Sequence, residues 1–188
     1  MTTARVLFFG FLVLSAECAV AQSPVEDPHL AATHSLPASW HGTWAGELTV
    51  YDHAGTSFEK GMELTIRPEA DSTSYSWRMT SSLGGRTMVR EYQLVPEFDA
   101  PGHFKIDEKN GIVLDVWLVG GTLHTYYKDG EILIDARYEL RETGLFVELA
   151  SIEMAEPRIS TLTGEGFEIV SYRLGGLQTG TLRKQEEQ

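Results

Sequence analysis

The chain has 188 residues, 42% of them hydrophobic and 22% charged, with a formal net charge of −12. That length suits one folded domain, and that composition can bury a core without help from metal or disulfides. The acidity excludes a nucleic-acid or anionic-lipid surface, which needs clustered Lys and Arg, and the single cysteine, Cys18, leaves no thiol chemistry downstream.

Residues 1–21 read as a secretory signal peptide: Arg5 supplies the positive start, Val6 to Ser15 is apolar, and Ala19-Val20-Ala21 offers small residues for cleavage near Ala21. The apolar run is too short to anchor the chain stably in a bilayer. A secreted or periplasmic protein is therefore expected. Residues 22–41 contain three prolines, Pro24, Pro28 and Pro37, and no sustained periodicity, and they read as a flexible lead-in.

From Gly42 to the C-terminus the pattern is that of one β-domain. Trp44, Leu48 and Val50 share a face with Gly46, opposite Glu47 and Thr49, as in a half-buried strand. Met62, Leu64 and Ile66 alternate with Glu63, Thr65 and Arg67, and Tyr75, Trp77 and Met79 alternate with Ser76, Arg78 and Thr80. Met88, Arg90, Tyr92 and Leu94 share the next inward face. Further on, Ile132, Ile134, Ala136, Tyr138 and Leu140 form one face, with Leu133 as an exception, and Leu145, Val147 and Leu149 repeat the pattern.

Asn110-Gly111, Gly120-Gly121 and Asp129-Gly130 are two-residue hairpin signals, and Thr143-Gly144 is a weaker fourth, because such turns need positive φ. Successive tight hairpins make neighbouring strands sequential and antiparallel. No segment shows helical periodicity with start and stop signals. A meander with one apolar face either closes or packs as a sandwich; the expectation is an all-β, up-and-down antiparallel β-barrel of about ten strands, since closure removes exposed edges. Glu153 to Gly166, polar and containing Pro157, reads as an ordinary long loop, with a segment lying over a barrel mouth as the alternative.

The opening Gly42-Thr43-Trp44-Ala45-Gly46-Glu47 resembles the Gly-x-Trp start of the calycin barrels, the lipocalins and their relatives, and especially the Gly-Thr-Trp-x-Gly start of nitrobindin-like proteins. The stretches Val89 to Leu94 and Ile106 to Asp115 also look like uncharacterised exported bacterial barrel proteins. The resemblance implies that Trp44 closes the barrel floor. It would also imply haem held by a histidine near the C-terminal end, but no histidine follows His124, so no cofactor is expected.

Arg90 and Tyr92 sit two apart on an inward face, and a charge there needs a partner. By resemblance to the Arg-x-Tyr pair of fatty-acid-binding proteins, that partner is a ligand carboxylate; an internal Asp or Glu, or a place at the barrel mouth, serves equally as a structural explanation. Trp77, Tyr92, Tyr127 and Tyr138 fall on inward faces and either line a cavity or fill the barrel solid. With Arg90 and Trp44 they make the candidate ligand-binding set, Trp44 on the floor.

No metal-binding histidine spacing and no catalytic residues or nucleotide-binding motif stand out. Asp107, Glu108 and Asp115 read as surface residues around a turn. The leading function is a binding barrel for a small hydrophobic or amphipathic ligand, with no nucleic-acid partner and no stable membrane insertion. The alternative is an interaction module with a packed interior, meeting an unidentified protein partner through outward residues such as Val113 and Trp117; an enzyme comes third.

Overall fold

The computed structural model describes residues 34–70, 73–162 and 166–186. The leader, its cleavage point and most of the lead-in lie outside them. Ten strands form one closed antiparallel barrel in sequential order: β1 (Gly42–Asp52), β2 (Ser57–Pro68), β3 (Tyr75–Leu83), β4 (Arg86–Pro96), β5 (His103–Asp107), β6 (Val113–Val119), β7 (Thr122–Asp129), β8 (Ile132–Arg141), β9 (Gly144–Thr161) and β10 (Glu168–Lys184). Closure comes from β1 pairing with β10, where Trp44 lies opposite Lys184 and Asp52 opposite Gly176. At this seam β10 crosses so close to β1 that a Cβ on Gly180 would collide with the Glu47 carbonyl.

The expected faces are the observed ones. Trp44, Leu48, Met62, Leu64, Ile66, Trp77, Tyr92 and Leu94 are buried, and so are Ala136, Tyr138, Leu145 and Val147. Side chains of a strand alternate between two sides, and closure turns one of those sides into an interior. Met88 and Arg90 keep the parity of Tyr92 but are exposed, because β4 there has run out to the open end of the barrel.

Turn chemistry is less uniform than the dipeptides suggest. Gly120-Gly121 forms a two-residue turn with both φ angles positive, at 58° and 80°. Gly84-Gly85 does the same between β3 and β4 and is a further hairpin signal of the same kind. Between Asp129 and Ile132 the turn residues are Gly130 and Glu131, so Asp129 is the last residue of β7. Asn110-Gly111 is no tight turn: Glu108 N–H donates to the Ile112 carbonyl around a wider loop, in which the Asp107 and Asn110 side chains accept from the backbone of Lys109 and Ile112. The fourth turn is Glu142-Thr143, with Gly144 opening β9.

Glu153 to Thr161 is not a loop. It continues β9, which pairs with β10 through Ile159 opposite Val170, while the ladder to β8 ends at Glu153 and the ladder from β10 to β1 ends at Gly176. The result is a two-stranded ribbon extending past its neighbours. Pro157 is tolerated because its strand is an edge there, and a bulge at Glu156, with φ of 51°, absorbs the mismatch.

The last residues of the lead-in join the core. Ala38–Trp40 form a 3-10 turn, and Leu36 and Trp40 are 3% and 2% exposed. Leu36 N–H donates to the Tyr75 hydroxyl at 3.0 Å, and the Trp44 indole N–H donates to the Trp40 carbonyl at 2.9 Å. Two tryptophans and Leu36, with Phe104, Leu145 and Leu182, therefore belong to the buried core. The periodicity signal misses this because burial is achieved by a short turn with no repeat.

Candidate functional site

The odd-numbered hairpins, β1–β2, β3–β4, β5–β6, β7–β8 and β9–β10, gather at one end of the barrel. Between them a cavity of about 510 Å³ opens, walled by residues from every strand pair at that end. This volume lies inside the range of small-molecule sites. The interior is therefore not packed solid.

Trp77, Arg90, Tyr92, Tyr127 and Tyr138 all line this cavity. Trp77 and Tyr138 meet edge to face at 5.2 Å and make its apolar base. Arg90 Nη1 donates to the Tyr92 hydroxyl at 3.3 Å, so the two residues singled out by their spacing act on one another. Trp44 is placed differently: it is buried and bonded to Trp40, and it is not among the cavity-lining residues. It belongs to the floor, as its position at the head of β1 implies, and not to the ligand wall.

The site also contains groups that the aromatic pattern does not single out. Lys60 lines the mouth and donates to Gln178 Oε1 at 3.3 Å. Its ammonium is held below the usual lysine range, first by burial and then by the charge of Arg90. Among the described residues neither Lys60 nor Arg90 has a carboxylate within ion-pair distance. Glu108 is close enough to act on Arg90 only through its field. Parity alone would identify Lys60, since it continues the Met62, Leu64, Ile66 face outward by one step.

The wall is rich in donors. Burial raises the Tyr127 and Tyr138 hydroxyls above the usual tyrosine range, so both stay protonated and able to donate. Thr125 lies on the same wall. Against these stand two carboxylates, Glu108 and Asp52. Asp52 is occupied by the turn, where it accepts from the N–H groups of Ala54 and Thr56. Such a cavity favours a guest with an apolar body and hydrogen-bond acceptors. No histidine is among its described lining residues, so they do not offer the imidazole ligand that a haem would need.

On the outer surface, His103 is buried under Trp117, its ring stacked at 4.2 Å. Its Nδ1 and Nε2 lie 2.6 Å from Asp99 and 3.0 Å from Asp115, so both carboxylates accept when the ring is an imidazolium. The arrangement pins the β4–β5 loop to β6. Asp115 thus has a structural bond, whereas Glu108, expected on the surface with it, lines the cavity.

No family model matches the chain. No curated protein matches it either. Among solved structures, it is similar to the S-type phycobiliprotein lyase CPES from Guillardia theta, with 14% sequence identity, a TM-score of 0.51, and coverage of 79% of this chain and 90% of that one. At that identity the likeness is one of fold.

Proposed function

We propose that this protein is an exported binding barrel that holds a small amphipathic anion, with the apolar body in the cavity and the anionic head between Lys60 and Arg90 at its mouth. The observation that carries the reading is a pair of cations, Lys60 half-buried and Arg90 at the exposed rim, without a carboxylate partner among the described residues, on the wall of a 510 Å³ cavity in a chain of net charge −12. The Lys60 charge is disfavoured by burial and by the charge of Arg90, and an anion at the mouth relieves it, while the exposed Arg90, whose charge Tyr92 already favours, supplies a second set of donors. A guest carboxylate or similar head meets that need, while Trp77, Tyr138, Ile134 and Leu149 cover its apolar part.

Export rests on the leader sequence, and a location in the cell envelope or outside the cell follows from it. The similar solved barrel is a phycobiliprotein lyase. It supports the fold as a container and says nothing about this guest.

Titration with dodecanoate, dodecanol and dodecyltrimethylammonium, followed by isothermal calorimetry, tests the reading. The anion is expected to bind at least tenfold more tightly than the other two, since charge-assisted bonds contribute about 1.5–3 kcal/mol. Equal affinities for all three, or a preference for the cation, would refute the anionic head. No binding of any of them would remove the carrier function.

A further inference from the structure

The cavity wall carries one polar group that the amphipathic-anion reading does not use. Thr125 is 4% exposed, and its Oγ1 has no hydrogen-bond partner among the described residues. A buried hydroxyl without a partner is unfavourable, and valine would fill almost the same volume without that cost. Thr125 also lines the cavity.

Thr125 lies across the β7–β8 ladder from Ala136, which also lines the cavity. On one side the next inward pair is Leu123 with Tyr138, at the floor, and on the other it is Tyr127 with Ile134. Ala136 is a small side chain between two bulky pairs on the cavity wall, and Thr125 Oγ1 beside it is itself closed to solvent in the ligand-free barrel. A threonine can exchange its methyl and hydroxyl between staggered χ1 positions, the movement by which Oγ1 would meet a guest in the cavity. The β6–β7 ladder ends at Trp117 with His124, one position before Thr125.

Arg90 stands on β4, three strands away around the barrel, a separation on the order of 14 Å along the wall at about 4.8 Å per strand. The two polar points therefore address different parts of one guest. We infer that the bound amphiphile carries a second oxygen function, a hydroxyl or keto group on its apolar body, received by Thr125 beside Ala136. The natural guest class is an oxygenated acid, and a simple saturated acid satisfies only half of the site. This inference rests on the anionic-head reading of the same cavity.

The test compares dodecanoate with a set of its monohydroxy and monoketo derivatives, on the wild-type protein and on Thr125→Val. At least one oxygenated acid is expected to bind the wild type about tenfold more tightly than dodecanoate, as sites that hydrogen-bond a guest group discriminate against its absence. In Thr125→Val that preference should fall to within about twofold. The ligand-free variant should melt at the same temperature as the wild type or higher, because an unpaired hydroxyl has been removed. If the wild type binds dodecanoate but prefers no oxygenated derivative, or if the preference survives in Thr125→Val, the inference fails while the anion carrier stands. A lower melting temperature of the ligand-free variant would also overturn it, by showing that the hydroxyl has a partner inside the protein. Failure of the wild type to bind any of the acids would overturn both readings.

Discussion

Replacing Lys60 by methionine separates a binding cation from a structural one, because the two roles predict opposite signs. Methionine keeps the length and apolar stem of the side chain and removes the ammonium. In the ligand-free protein Lys60 is half-buried, feels the charge of Arg90, and donates to the Gln178 amide oxygen at 3.3 Å. Its folded pKa is depressed, so the folded state holds this proton less tightly than the unfolded chain does. The charged form thus opposes folding at neutral pH, and the penalty fades as pH rises toward 10.5. The site is still partly solvated, which limits the relief on removing the charge to about 0.5–1 kcal/mol. Lys60→Met is therefore expected to stabilise the ligand-free barrel by that amount at pH 7, measured by urea unfolding, and to gain less at about pH 10, near the unfolded lysine value. The same change should weaken dodecanoate binding about tenfold or more, since a charge-assisted bond contributes about 1.5–3 kcal/mol. A variant that is less stable without ligand and binds dodecanoate as well as the wild type would show that Lys60 is held for the fold, and the reasoning from unpaired charge would be wrong.

The outer latch and the closing seam can be probed in the same way. The imidazolium of His103 is raised above its usual 6.5 chiefly by the Asp99 bond, so its contribution is full below that value and is lost as pH rises through the folded pKa, while Asp99, lowered by the same bond, loses its share only as pH falls through the acidic range. The melting-temperature difference between wild type and His103→Gln should therefore peak between the carboxylate range and about pH 6.5 and shrink toward about pH 9; a difference that is flat with pH would refute the latch. At the seam, Gly180→Val should cost more than about 3 kcal/mol in urea unfolding, because the added Cβ meets the Glu47 carbonyl and must push β10 from β1; a loss under about 1 kcal/mol would show that the seam can open without harm.

The inward faces of most strands are legible from parity, because a strand sends successive side chains to opposite sides whatever surrounds it. Trp77, Arg90, Tyr92, Tyr127 and Tyr138 fall on the interior side by this rule, and all five line the cavity. Lys60 obeys the same rule yet escapes notice, since a lysine at the end of an apolar face resembles a strand terminus. The ribbon past Glu153 reads as a loop because Pro157 and the polar residues around it break alternation, but an edge strand accepts a proline whose N–H needs no neighbour. Leu36 and Trp40 give no periodic signal at all.

Local sequence thus suffices for the all-β class, the sequential antiparallel order and the sidedness of each strand, since these depend on backbone geometry and on turn residues within a few positions. It does not reveal that the interior is hollow at one end and sealed at the other, that Lys60 and Arg90 share one mouth, or that Thr125 is left without a partner among its described neighbours. A cavity is the difference between the volume a closed wall encloses and the volume its side chains fill, and that difference exists only once residues as far apart as Trp44 and Lys184 have met.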